Sequence, residues 1–238
     1  MSRWERLLIV QQHDTHADQL LYRSQTLPVR AELAKLEDDL ADLDRKIAAV
    51  DDRLVKLRRS QQRLEDEIAS WREKMGASDK LLYSGTIGNP RELQALHDEI
   101  ESIKRHVAKL EDDELDVMEA TEPVDAERAG LAAEREGRSS EAEQARAELA
   151  TAEAAIDAEL ASVYEDRAAA AAEVPDDLWD EYDGLQARLG GVAIARLAGS
   201  TCQGCHLALS AVEIDRIRRL PLDERVYCEE CGRLLVRP

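Results

Sequence analysis

Apolar residues recur at alternating steps of three and four through Leu33, Leu36, Leu40, Leu43, Ile47, Val50, Leu54 and Leu57. The same steps continue through Gln61, Leu64, Ile68, Trp71 and Met75. Side chains at that spacing share one helix face, and a period of 3.5 residues sustained over many turns specifies a left-handed coiled coil. At about 1.5 Å per residue the stretch is roughly 65 Å of helix. The pattern stops at Gly76, which predicts a tip loop over about 77–89. Asn89-Pro90-Arg91-Glu92 then has the chemistry of a helix start: a capping Asn, a Pro at the first helical position, and a Glu three residues after the cap. The seam resumes at Leu93, Leu96, Ile100, Ile103, Val107 and Leu110. Two seamed helices joined by a short loop predict an antiparallel hairpin, with Met75 opposite Leu93, Ile68 opposite Ile100 and Gln61 near Val107.

Between Glu111 and Glu148 the seam is broken by acidic residues, Pro123, Gly130 and Gly137, which predicts a bend or a loosely packed stretch. Periodicity returns at Leu149, Ala152, Ile156, Leu160 and Val163, a face expected to lie against a helix formed by the first 25 or so residues. Pro28 discourages helix at Leu27 and separates that first helix from the next. Val174-Pro175-Asp176 ends one helix and starts a shorter one over about 175–189, and Gly190-Gly191 is the expected hinge. The expected fold is mainly α. Residues 1–189 form a long antiparallel left-handed coiled-coil hairpin, and 190–238 form a small β domain.

Composition supports an architecture without a thick core. Phe is absent, aromatic residues are 3% and charged residues 35% of the chain. The net charge of −19 is uneven, because from Arg196 onward seven Arg meet six acidic residues. Helices that acidic repel phosphate backbones, whereas the C-terminal segment does not. The apolar patch Leu7-Leu8-Ile9-Val10 is too short for a signal sequence, and no run is long enough to span a bilayer, so a cytoplasmic protein is expected.

All four cysteines fall in the C-terminal segment, as Cys202-Gln203-Gly204-Cys205 and Cys228-Glu229-Glu230-Cys231. In a reducing compartment two such pairs favour a metal over disulfides. Two C-x-x-C turns supply the four soft ligands of tetrahedral zinc, and Gly204 and Gly232 allow the turns to be tight. Val192, Ile194, Leu197, Leu207, Leu209, Leu234 and Val236 alternate as strands do, and Ser210–Leu220 inserts a short helix. These residues predict a zinc ribbon with one structural Zn²⁺ on Cys202, Cys205, Cys228 and Cys231. Cys205-His206 also completes a haem-attachment pattern, which leaves the second pair unexplained. A dithiol redox centre would need only one pair and a βαβ context.

Arg216, Arg218, Arg219, Arg225, Arg233 and Arg237 are the ribbon's cations. With Glu213, Asp215, Asp223 and Glu224 interspersed they form a solvated face. The sharper alternative is a partner or nucleic-acid contact through Arg216, Arg218, Arg219 and Arg233, without the interleaved aromatics of single-strand binders. His13 and His16 lie near Asp14 and Asp18, but no further ligand converges on them. The segment 83–88 has two Gly without a phosphate-loop Lys. No nucleophile–base arrangement stands out, and no enzyme is expected.

Three segments carry a resemblance. They are Asn89-Pro90-Arg91-Glu92-Leu93-Gln94-Ala95-Leu96-His97-Asp98-Glu99-Ile100, Cys202-Gln203-Gly204-Cys205-His206-Leu207-Ala208-Leu209, and Cys228-Glu229-Glu230-Cys231-Gly232-Arg233-Leu234-Leu235. Together the chain resembles the bacterial C4-type zinc-ribbon coiled-coil family, departing at Ser210, where relatives tend to have proline. The resemblance implies a coiled-coil hairpin with a ribbon at its base and the four cysteines as zinc ligands. Some relatives are linked to flagellar or type III secretion assembly. The expected function is a zinc-binding adaptor that docks protein partners, with nucleic-acid regulation through the ribbon as the alternative. No membrane contact and no small-molecule substrate is expected.

Overall fold

The computed structural model describes residues 3–237. Five helices and three short strands follow in the order α1 (Arg3–Gln25), α2 (Pro28–Leu82), α3 (Pro90–Ala171), α4 (Asp176–Leu189), β1 (Ile194–Ala198), β2 (Thr201–Cys202), α5 (Ala211–Arg219) and β3 (Leu234–Val236). Two compact units divide the chain. One holds residues up to Ala31 together with those from Arg146 onward, and the other holds Glu32–Ala145. The sequence-expected boundary at 189/190 therefore falls inside the first unit.

Within the Glu32–Ala145 unit, α2 and α3 are antiparallel, with Leu64 and Ile68 packed among Ile103, Val107 and Leu110, and Val50 and Leu54 against Val124. Two expectations are corrected here. Helix α2 passes through Gly76 to Leu82, leaving 83–89 as the tip loop, because one glycine costs a long helix only about 1 kcal/mol. That extension moves the register along: Lys74 pairs with Glu99 and His106 with Glu67, in place of a Met75–Leu93 match. Helix α3 continues through Pro123, Gly130 and Gly137, and between Leu110 and Ala142 Val124 is the one buried residue among those described, the loosely packed stretch that the sequence predicts. The start of α3 is as the sequence dictates: Asn89 Oδ1 accepts from Arg91 N at 3.0 Å, and Asn89 Nδ2 donates to Glu92. Ion pairs cross between the helices in both senses, Arg53–Glu127 and Arg58–Asp125 one way, Arg128–Asp51 and Arg135–Asp44 the other. Each exposed pair is worth little alone, but a slip of register would set like charges opposite.

In the first unit Ala17 and Leu20 of α1 meet Ile156, Leu160 and Val163 of α3, the expected face. The three-stranded sheet has the order β2-β1-β3. Strand β1 is antiparallel to β2 and parallel to β3, with Ile194 opposite Leu234 and Arg196 opposite Val236. The expected strand at Leu207–Leu209 is reduced to one bridge between Thr201 and Ala208. Alternation along β1 and β3 gives the sheet two apolar faces. Ile194, Leu234 and Val236 pack with Trp4, Leu7 and Val10 of α1 and Leu178 and Tyr182 of α4. Ala195, Leu197 and Leu235 turn the other way, onto Ile214 and Ile217 of α5 and the buried Cys202 and Cys228.

Polar side chains complete the helix–sheet joint. Buried Asp14 accepts from Arg167 of α3 and, at 2.6 and 3.0 Å, from Tyr182 and Gln186 of α4. Burial, then the hydrogen bond to Asp14, raises the Tyr182 hydroxyl well above its ordinary pKa. One turn earlier, Gln11 Oε1 accepts from Ala193 N at 2.7 Å and Gln11 Nε2 donates to Gly191 O at 2.9 Å. The expected hinge at Gly190-Gly191 is thus held. Both glycines have positive φ, 72° and 102°, closing α4 as a left-handed cap. Removing one member of a buried charged pair leaves the other uncompensated. Arg167→Met is expected to cost about 3 kcal/mol, and Asp14→Asn/Arg167→Met appreciably less. Thermal unfolding followed by circular dichroism measures both.

Candidate metal centre

Two knuckles bring the cysteines together, and their backbones are near copies. In the first, His206 N donates to Cys202 O at 2.8 Å. In the second, Gly232 N donates to Cys228 O at 2.8 Å. The donor residue has positive φ in each, 61° for His206 and 73° for Gly232. Gly232 takes that conformation freely, whereas His206 takes it with a Cβ. His206 is therefore an exposed corner of the turn.

Gly204 is glycine for a different reason from the one the sequence suggested. Its φ is ordinary, but a Cβ there would lie 2.6 Å from Arg233 Cδ and 3.0 Å from Ala195 Cβ. Arg233 crosses from the second knuckle to the first, and its Nε donates to Val192 O at 3.0 Å. Arg233 thereby acts as a strut between the knuckles, packed against the one residue type that lets it pass.

The four Sγ atoms lie within 4.8 Å of one another. Across the knuckles, Cys202 and Cys231 are 4.0 Å apart and Cys205 and Cys228 are 3.8 Å apart. A tetrahedron with metal–sulfur bonds of about 2.3 Å has edges of about 3.8 Å, so the thiol set fits zinc. Cys202 and Cys228 are buried. Burial pushes both thiols up, against hydrogen bonds from the knuckle backbone such as Gly204 N to Cys202 Sγ at 3.4 Å. A bound dication compensates thiolates that burial alone would disfavour. Among the described residues the four cysteines are the grouping of His, Cys, Asp and Glu that converges in this way. His16 instead faces Glu159 at 3.5 Å.

The expected basic face is largely engaged in the ribbon's own structure. Arg216 forms a two-point pair with buried Glu213, holding that carboxyl below its usual range. Ser210 caps α5 by accepting from Glu213 N at 3.2 Å. Arg225 pairs with Asp177 and Glu181 of α4, beside the hydrogen bond from the Tyr227 hydroxyl to Glu181. Arg237 donates to the carbonyls of Ile217 and Leu220, where α5 ends. Arg233 is the strut. Arg219 stands 3.6 Å from Asp215 on an exposed edge, and Arg218 lines a groove beside α5. Gln11, Asp14 and Gly204 are the positions whose roles sequence reasoning missed. The signal for the first two was a polar residue at each step of an otherwise apolar α1 face.

Comparison with known proteins agrees with this geometry. Residues 10–190 match the model of the CT398-like coiled coil hairpin domain, and 201–235 match that of the C4-type zinc ribbon domain. An uncharacterized protein of Mycobacterium tuberculosis, Rv2229c, is 30% identical over 243 residues, covering all of this chain and 96% of that protein. A solved structure from Mycobacterium smegmatis superposes with a TM-score of 0.90 at 25% identity, covering 100% of this chain and 98% of the other. CT398 of Chlamydia trachomatis shares the fold, with a TM-score of 0.68 at 20% identity over 99% and 98% of the two chains. The cofactor is one structural zinc ion. A hairpin matched over most of its length and a four-thiol ribbon behind it place this chain in the CT398-like coiled-coil hairpin family with a C4-type zinc ribbon.

Proposed function

We propose that the protein is a non-enzymatic, cytoplasmic zinc-binding adaptor that docks protein partners through its coiled coil and its ribbon. Cys202, Cys205, Cys228 and Cys231 are its zinc ligands. Four thiolates fill a tetrahedral shell and leave no position for a reacting water, so the metal serves folding. The observation that carries the docking role is the apolar surface left open on the hairpin. Tyr83 at the tip is 83% exposed, and Leu81, Leu115 and Met118 are also exposed. Apolar side chains displayed on paired helices suit partner helices better than any small substrate. No helix among the described residues is long and apolar enough to cross a membrane. The nucleic-acid reading draws less support, because most of the ribbon's arginines already hold carboxylates or carbonyls of their own chain.

Photo-reactive side chains at positions 83 and 115, activated in the native cell, are expected to capture discrete proteins. Capture of RNA in their place would overturn the adaptor reading. Cys228→Ser is expected to lower bound zinc from one per chain to none by metal analysis. Because β1 and β3 share a core with α1 and α4, it should also perturb the emission of buried Trp4 while the α2–α3 signal in circular dichroism persists. Gly204→Ala should loosen zinc by about tenfold in a chelator competition, since it displaces the Arg233 strut.

A further inference from the structure

A groove of about 250 Å³ opens beside α5. Leu197, Ile214, Ile217 and Leu222 line it, with Arg218 and Arg237 at its edges. Leu222 is an apolar side chain left 75% exposed. Its own carbonyl is anchored by Trp4 Nε1 at 3.1 Å, so the groove wall stands on α1. In a chain of net charge −19 the lining contains two guanidiniums and no carboxylate. Arg237 is committed to backbone carbonyls, whereas the Arg218 guanidinium makes no hydrogen bond or ion pair among the described residues.

We propose that this groove is a docking site for an acidic protein segment that places a large apolar side chain next to a carboxylate. The inference rests on the adaptor reading and names the chemistry of the partner at the ribbon. The apolar lining supplies the pocket that an anchor residue fills, and Arg218 supplies a charge-assisted partner beside it. Basic segments would meet Arg218 and Arg237 unfavourably. Nucleic acid is the weaker occupant, since the lining offers no aromatic ring on which a base could stack.

The test is selection of a phage-displayed random peptide library on the full-length zinc-loaded protein, followed by anisotropy titration of the enriched peptides. Enrichment of a Leu, Ile, Phe or Trp flanked by Asp or Glu is expected. Arg218→Glu and Leu222→Ser should each weaken those peptides by about tenfold or more. Arg219→Glu, at a side chain 82% exposed and outside the groove, should leave them within about twofold. All three positions are exposed, so the variants should fold, which zinc content confirms. No enrichment, enrichment of basic peptides, or equal loss in Arg219→Glu would overturn the groove assignment. If hairpin photo-crosslinks persist in that event, the adaptor reading stands; if they are absent as well, both fall.

Discussion

The parallel pairing of β1 with β3 is the constraint on which the C-terminal structure depends. It joins the segment before the first knuckle to the segment after the second, so closing the metal site and closing the sheet are one event. Three residues of β3 are too few to hold such a register on backbone hydrogen bonds alone. The register is held from both sides. On one face the two knuckles are drawn together around zinc, and on the other Leu234 and Val236 sink into the core of α1 and α4. A ribbon this small has little apolar surface of its own, and both supports act on the same few residues.

This arrangement makes the ribbon continuous with the helices in packing, even though its motif is self-contained in sequence. Gln11 serves as a side-chain extension of the sheet edge, accepting from Ala193 N as a neighbouring strand would. Asp14 gathers α3 and α4 onto the same helix. Buried polar groups of this kind stabilise little in net terms, but each has geometric demands that a purely apolar interface lacks. They specify which turn of α1 meets the sheet.

Elements that follow from periodicity or ligand spacing were legible in the sequence. The α2–α3 hairpin, the capped start at Asn89, the α1–α3 contact and the four-thiol cluster each follow from residue types at fixed spacing along their own segments. The misreadings arose where long-range context outweighed a local signal. Gly76 ends the apolar pattern, but one glycine costs an already nucleated helix only about 1 kcal/mol, too little to stop it. Gly204 looked like a turn glycine because it sits in a C-x-x-C. Its requirement comes from Arg233, which is 29 residues away and visible only once the knuckles face each other. The structural partners of the arginines were hidden in the same way. Sequence shows a cluster of cations, whereas their partners Asp177, Glu181 and Val192 come from outside the ribbon motif.

The two compact units differ in what would disable them. In Glu32–Ala145 the apolar seam is narrow and repeated, and the ion pairs cross in both senses, so no single residue is indispensable and the penalty falls on changes of register. Around the ribbon the opposite holds. Four thiols, one glycine and one arginine strut share a single centre, and loss of any one is transmitted through a three-stranded sheet to α1 and α4. A fold built this way tolerates drift along its hairpin surface better than around its metal centre. Exposed Tyr83 and Leu115 lie in the tolerant unit, whereas Arg218 and Leu222 lie in the constrained one. Substitution is therefore freer on the hairpin surface than around the groove beside α5, because changes on the hairpin surface leave the seam untouched, whereas the groove's walls are also the ribbon's core.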